Sequence, residues 1–151
     1  MGNYWENFKR RDKGELKTHS INIGCGGGRY GFTDLGCDIN CDIDIPTTNI
    51  PNFIRLDAQY LPFKDNIFDV CYAYHLVEHL PNYRSALKDM KRISKKVILK
   101  YPHYLSYNAY LDKTHRWVII YGKFIPIYGF LRPFLTSFLK LFKPFKSFKD
   151  V

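Results

Sequence analysis

A chain of 151 residues with 46% apolar and 17% aromatic side chains has room for one compact domain, and this composition excludes a disordered or collagen-like protein. The 23 Lys and Arg residues outnumber the 14 Asp and Glu residues, which gives a formal charge of +9. This charge favours an acidic partner such as nucleic acid, an anionic membrane surface, or a phosphorylated or acidic glycan substrate. Charge alone does not choose among them.

The cysteines and the beginning of the chain bear on the compartment. The four cysteines have neither the paired spacing of a zinc site nor the density of a disulfide scaffold, which predicts reduced, small packing residues: Cys25, Cys37, Cys41 and Cys71. Residues 1–17 are polar and charged, unlike a secretory leader, and no apolar run approaches the roughly 20 residues that cross a bilayer. We expect a cytoplasmic location, with a peripheral position at a membrane as the alternative.

The first two thirds of the chain read as short strands and crossovers. Residues 1–19 combine basic and aromatic side chains, which predicts either a short capping helix or a solvated basic arm. Five apolar segments then predict strands at 21–23, 39–43, 53–56, 70–73 and 97–100. Strands that alternate with crossovers predict a parallel sheet. The first crossover must be short, because thirteen residues separate Gly28 from Asp42 and glycines interrupt them.

One helix is clear and a second is suggested in the tail. Asn82, after Pro81, can accept hydrogen bonds from exposed backbone amides, so we expect a helix that begins there and buries one face: Tyr83, Ala86, Leu87, Met90 and Ile93. The composition becomes aromatic and basic after residue 103, and apolar residues recur at helical spacing between Leu131 and Phe145. We expect the tail phenylalanines to cover a sheet face. Binding to a membrane surface, to nucleic acid or to a second copy in a homodimer are the alternatives.

A glycine-rich turn is the strongest functional signal. The apolar segment at 21–23 leads directly into Gly24-Cys25-Gly26-Gly27-Gly28, and glycines let a backbone approach a ligand where a Cβ would collide. This pattern predicts a nucleotide-like cofactor. The run from Gly26 to Gly31 also fits the dinucleotide pattern, but the turn already begins at Gly24 and no convincing helix follows Gly31, so nicotinamide binding is not favoured.

Several blocks in order resemble the class I S-adenosylmethionine-dependent methyltransferases. They are the glycine turn, a strand that ends at Asp42, the run Asp57-Ala58-Gln59-Tyr60-Leu61-Pro62-Phe63, the run Val77-Glu78-His79-Leu80, and the strand before Tyr101-Pro102. The resemblance covers about residues 20–103. It implies an α/β, Rossmann-like fold with a mostly parallel sheet that is truncated or modified at its C-terminal end. We expect a single domain, 1–151, with an N-terminal segment 1–19, a cofactor-binding core 20–103 and a C-terminal segment 104–151.

The resemblance also implies a cofactor site. S-adenosylmethionine would lie over Gly24, Cys25, Gly26 and Gly28 and would leave as S-adenosylhomocysteine. Asp42 would accept the ribose hydroxyls, with Asp38 as the competing candidate. The adenine would meet Asp57, Ala58 and Leu61, and the backbone near Tyr74 and His75 would close over the sulfonium. Two features depart from the family: Asn22 stands where many relatives have an acidic residue, and the family's final strand pair is not evident.

The resemblance implies methyl transfer to an acceptor that the sequence does not identify. His75 is our first candidate for a general base, and His103 and His115 are weaker candidates. The pair His75 and His79 has a metal-like spacing, but the His-Glu-x-x-His order is missing, so we expect no metal and a structural role for His79. Residues 112–116 form either a solvated turn or a substrate-facing loop. The competing hypothesis is a non-catalytic adaptor for nucleic acid, a membrane or a partner subunit.

Overall fold

The computed structural model of the protein describes residues 19–26, 37–45, 49–105, 108–127, 129 and 132–141. Three expectations fall outside these residues: the N-terminal helix or arm, the first crossover with Gly28, and the tail beyond residue 141. The architecture below concerns the described part of the chain.

A five-stranded parallel sheet forms the main body of the protein. Its strands are β1 (Ser20–Ile23), β2 (Ile39–Asp42), β3 (Phe53–Arg55), β4 (Phe68–Tyr74) and β5 (Ser94–Lys100), in the order β3-β2-β1-β4-β5. The predicted Rossmann-like parallel sheet is confirmed. The strand order reverses between β1 and β4, and open parallel sheets bind ligands beyond the carboxyl ends of the strands at such a switch point.

The main core lies between this sheet and one helix. The helix α1 (Tyr83–Ile93) begins as predicted, since the Oδ1 atom of Asn82 accepts a hydrogen bond from the Ser85 amide at 3.2 Å. Its fully buried residues pack against side chains of the central strands in one cluster that includes Ile21, Ile23, Cys41, Phe68, Cys71, Ala86, Met90 and Ile93. All four cysteines are free and buried, which confirms their predicted role as packing residues.

The junction between α1 and β5 differs from the prediction. Strand β5 begins at Ser94, three residues earlier than Val97, because Ser94 already adopts an extended backbone (φ −136°, ψ 148°) directly after the helix. Its hydroxyl donates to the carbonyl of Met90 at 2.6 Å. Lys95 and Lys96 follow in the strand and are exposed, which suits the edge of a sheet.

A small second layer follows β5. It contains the short helix α2 (Asn108–Leu111), the antiparallel hairpin β6 (Trp117–Ile120) and β7 (Lys123–Pro126), and the helix α3 (Arg132–Leu141). The hairpin is the strand pair that the sequence did not reveal. Among the described residues it forms its own two-stranded sheet beside the main one, so the fold is modified at its C-terminal end, as expected.

The helix α3 agrees only in part with the amphipathic helix predicted between Leu131 and Phe145. Leu135 packs against a small cluster formed by Ala109, Tyr110 and Val118. Phe134 and Phe138 remain 69% and 48% exposed. For these two phenylalanines, the expectation that they cover a sheet face is wrong. The reason is that α3 contacts the small cluster through another side of the helix. No helix among the described residues is long and apolar enough to span a bilayer.

Candidate cofactor site at the carboxyl edge of the sheet

The glycine turn after β1 is anchored on the neighbouring strand. The amides of Gly24 and Cys25 donate to the carbonyl of Cys41 at 2.8 and 3.0 Å. Gly24 and Gly26 have φ angles of +73° and +74°. Residues with a Cβ rarely adopt this backbone conformation. A Cβ added to Gly24 would lie 2.9 Å from Leu76 Cδ1, whereas one added to Gly26 would meet no described atom within 4 Å. The turn is therefore packed at Gly24, whereas at Gly26 it is open as far as the described residues show.

Asp42 closes the same edge from the end of β2. Its Oδ2 atom accepts a hydrogen bond from the Gly26 amide at 2.8 Å, and its Oδ1 atom accepts one from the Asp44 amide at 3.1 Å. These contacts hold the carboxylate against the open part of the glycine turn. Asp38, the competing candidate, accepts from the Ser20 amide at 2.7 Å and therefore lies at the opposite, amino edge of the sheet.

Asp57 and its neighbours form the third part of this edge. The Oδ1 atom of Asp57 accepts a hydrogen bond from the Gln59 amide at 2.8 Å and from the Gln59 side chain at 3.2 Å. The side chains of Ala58 and Leu61 are buried in the main core. The sequence analysis did not single out Ile43 and Ile45 as candidate site residues. These two apolar side chains follow Asp42 closely and are 55% and 70% exposed. An apolar residue directly after a strand-ending aspartate was the signal available for Ile43.

Asn22 takes a structural role in the sheet. It is buried, and its Nδ2 atom donates to the Oδ1 atom of Asn40 at 3.2 Å, so the side chain bridges β1 and β2. Asn40 in turn donates to the carbonyl of Pro51 at 3.0 Å. The Asn22 side-chain amide is thus built into a polar network inside the sheet.

His75 follows β4 in a strained conformation. Its φ of +51° lies in the left-handed region, which costs free energy for a residue with a side chain and is frequently found at functional sites. Its amide donates to the Lys100 carbonyl at 2.8 Å, which fixes the backbone, and Tyr74 before it is buried. The ring is about one third exposed, with Nδ1 3.3 Å from Oε1 of Glu78. The residue after His75, Leu76, lies close to Gly24, since a Cβ added to Gly24 would be 2.9 Å from Leu76 Cδ1.

The other two candidate bases have different surroundings. His103, three residues after β5, is exposed; its Nδ1 atom accepts from the Leu105 amide at 3.2 Å and its ring stacks on Tyr104. His115 is buried, with Nδ1 2.9 Å from the Ala109 carbonyl. Its ring packs edge-to-face against His79 with centroids 4.6 Å apart. The structure therefore brings His115 to His79 rather than to the glycine turn.

Hydrogen bonds join the start of the hairpin to the loop between β4 and α1, which contains His79. The amides of Arg116 and Trp117 donate to the carbonyl of Glu78 at 2.7 and 3.3 Å, and the Trp117 ring nitrogen donates to the Leu80 carbonyl at 2.8 Å. An open cavity of about 630 Å³ lies here, lined by His79, Thr114, His115 and Trp117 among others. Burial lowers the pKa of His79, and the Glu78 carboxylate opposes this effect, so the neutral ring is favoured near pH 7.

Three comparisons place the chain among known proteins. A family model described as a methyltransferase domain matches residues 21–97, just over half of the chain. An uncharacterised protein of Methanocaldococcus jannaschii is 34% identical over 90 residues, which cover 55% of this chain and 40% of that protein. Sterol 4-C-methyltransferase strm-1 of Caenorhabditis elegans is 29% identical over 68 residues, which cover 45% of this chain and 17% of that protein.

The solved structures agree on the fold. A candidate methyltransferase from Bacillus halodurans superimposes with a TM-score of 0.54 at 16% identity, over 76% of this chain and 62% of that one. This likeness concerns the fold alone. The chain spans less than half the length of the two curated relatives it matches.

Proposed function

The chain belongs to the family of methyltransferase domains, and we propose that it transfers the methyl group of S-adenosylmethionine to an acceptor and releases S-adenosylhomocysteine. The observation that carries the proposal is the open glycine turn with the Asp42 carboxylate fixed beside it by the Gly26 amide. This pair lies beyond the carboxyl end of β1, next to the switch point of the sheet.

The residues of this edge suit the parts of the cofactor. The backbone at Gly24, Cys25 and Gly26 is proposed to contact the methionine and ribose, because no described residue lies within 4 Å of the Cβ position of Gly26, so a ligand can approach the backbone there. Asp42 would accept the ribose hydroxyls, since each carboxylate oxygen can accept more than one hydrogen bond. Ile43 and the segment at Asp57 and Ala58 would border the adenine. Gly28, which lies outside the described residues, remains part of this proposal on the sequence alone.

The bound cofactor would supply an activated methyl group, and the protein's contribution would be to position the acceptor and exclude water. His75 is the residue proposed to accept a proton where the acceptor must lose one. Its support is the strained backbone, the partly exposed ring and the position after β4, directly before Leu76, which lies close to Gly24. Tyr74, buried behind it, would hold that backbone in place.

The acceptor and the compartment are proposed from composition and surface. A charge of +9 favours an anionic acceptor. The four buried free thiols fit a reducing compartment such as the cytoplasm. The exposed Phe134 and Phe138 on α3 favour a second candidate function, an adaptor that keeps the fold and contacts a membrane, a nucleic acid or a partner subunit through this face. Binding of S-adenosylmethionine without turnover on any acceptor would favour the adaptor.

The first test is calorimetric binding of S-adenosylmethionine and S-adenosylhomocysteine to the purified chain. We expect micromolar binding that is lost in Gly26→Val, whose side chain would fill the open space, and weakened at least tenfold in Asp42→Ala. Asp44→Ala is the matched control, because this nearby exposed carboxylate is expected to lie outside the pocket. A folded wild-type protein that binds neither compound would contradict the proposal.

A further inference from the structure

A cluster of three side chains lies between the loop after β4 and the segment before β6. One ring nitrogen each of His79 and His115 and one carboxylate oxygen of Glu78 all lie within 4.8 Å of one another. Glu78 is 1% exposed, and neither of its carboxylate oxygens accepts a hydrogen bond from a described residue. The Nδ1 atom of His75 is 3.3 Å from Oε1 but is not aligned as a donor. A buried carboxylate that accepts no hydrogen bond is costly unless a cation compensates its charge, so Glu78 is suited to bind a cation.

The hydrogen bonds behind the two rings determine which nitrogen carries the lone pair. The Nδ1 atom of His115 is 2.9 Å from the Ala109 carbonyl, which can only accept, so Nδ1 carries the hydrogen and Nε2 the lone pair. The Nδ1 atom of His79 is 2.8 Å from the Thr114 hydroxyl, which itself donates to Asp112 Oδ1 at 2.6 Å. The hydroxyl has one hydrogen, so His79 must be the donor to Thr114, and its lone pair also falls on Nε2.

This arrangement is the one expected around a metal ion. Histidines that bind metals donate their other ring N–H to a carbonyl, a carboxylate or a polar group, which fixes the tautomer and the ring orientation. Both rings here have such a partner, and the Thr114 contact is extended to a carboxylate. The third potential ligand is the buried Glu78.

We propose that Glu78, His79 and His115 bind a divalent transition-metal ion, for which zinc(II) is the best match. Two imidazoles and a carboxylate form a common three-ligand set for zinc, which leaves a fourth position for water or a substrate oxygen. Tetrahedral bonds of about 2.1 Å place ligand atoms about 3.4 Å from one another, and the three side chains here offer ligand atoms within 4.8 Å of one another. The cavity lined by both histidines gives the ion access from solvent.

The inference goes beyond the proposed methyl transfer and does not depend on it, because none of its three ligands is among the residues proposed to hold the cofactor. It also revises the expectation from sequence that the chain holds no metal. His115 lies 36 residues after His79, so no local spacing pattern could have joined them.

The test is a titration of the full chain, stripped with a chelator, with zinc chloride by calorimetry and with cobalt(II) by visible absorption. We expect one equivalent of zinc to bind with micromolar or tighter affinity, and cobalt to give the absorption of a nitrogen and oxygen site. Glu78→Gln and His115→Asn should each weaken zinc binding at least tenfold. His19→Asn is the matched control, because it removes an exposed imidazole from the start of β1 and should leave binding unchanged.

A second variant keeps the test decisive if the buried substitutions unfold the chain. Thr114→Val leaves all three ligands in place but removes the hydroxyl that contacts His79 and Asp112. It should weaken zinc binding about tenfold or more, because outer partners orient metal ligands, whereas Thr114→Ser should retain it. The proposal is overturned if the folded wild type shows no saturable zinc binding. It is equally overturned if Glu78→Gln and Thr114→Val both bind zinc as the wild type does, since the zinc would then bind at another place on the chain.

Discussion

At the residue scale, Gly24 and Gly26 share one backbone conformation but not one environment. Both have φ near +74°, yet only Gly24 lies against the Leu76 side chain. An alanine in the left-handed region costs about 1 kcal/mol through backbone strain alone. We expect this cost at Gly26 and a further cost, of about 1–3 kcal/mol, at Gly24, where the added methyl overlaps Leu76.

Urea unfolding of Gly24→Ala and Gly26→Ala measures this difference. Gly122→Ala is the matched control, because Gly122 has φ +75° in the open turn of the β6–β7 hairpin, where an added Cβ would meet no described atom within 4 Å. Its loss of stability should equal that of Gly26→Ala. Equal destabilisation of all three variants would mean that the contact with Leu76 does not matter.

At the scale of elements, α1 is joined to the rest of the protein at both ends and along one side. Arg92 is not among the residues that the sequence predicts for the buried face of this helix. It donates to the carbonyls of Leu61 and Phe63 at 2.8 and 2.7 Å and also contacts Asp65 and Asp89. One guanidinium thus ties the helix to the loop after β3, which carries Asp57. Charge at a helical surface position gave no indication of this role.

The N-cap of α1 provides a prediction for this element. Asn82→Ala removes the acceptor of the Ser85 amide and should reduce the free energy of unfolding by about 1 kcal/mol. Asn82→Ser, which can cap the same amide, should stay close to the wild type. Chemical denaturation of the three proteins compares them directly, and an alanine variant as stable as the serine variant would show that the cap contributes nothing.

At the scale of the whole molecule, its carboxylates determine stability in acid. Burial raises the pKa of Asp89, but hydrogen bonds from Arg92 and the Leu61 amide outweigh it and hold the pKa below its usual range. The Thr114 hydroxyl lowers the pKa of Asp112 in the same way. A carboxylate with a lowered folded pKa stabilises the protein above its unfolded pKa of about 3.9, and this stabilisation is lost as the pH falls through the folded value.

We therefore expect the unfolding temperature of the chelator-stripped chain to fall steeply below about pH 4. A shallower decline should begin near pH 6.5, because the lowered pKa of His79 makes its protonation unfavourable in the folded state. Thermal melts from pH 8 to pH 2.5 measure both steps. Asp89→Asn should be less stable at pH 7 and should lose less stability below pH 4, and a wild-type slope in this variant would contradict the assignment.

The parallel sheet and its glycine edge could be predicted from the sequence, whereas the second layer could not. Apolar segments bounded by glycine and proline predicted the five strands, and the capping side chain of Asn82 predicted the start of α1. The run at 117–126 has no alternation of apolar and polar residues, so it did not indicate a hairpin. The site at Glu78, His79 and His115 depends on that hairpin, because the Arg116 and Trp117 amides hold it on the Glu78 carbonyl.

The strand order has a consequence for the protein while it is being synthesised. β1 pairs with β2 on one side and with β4 on the other, and β4 is complete only at Tyr74. Until the ribosome has released that part of the chain, one edge of the apolar strand β1 has no partner among the strands described. An unpaired apolar strand edge can pair with strands of other chains. The nascent chain is therefore most prone to misfolding and aggregation during this interval. The time that the ribosome takes to release the segment from Ile23 to Tyr74 therefore determines how long that exposure lasts.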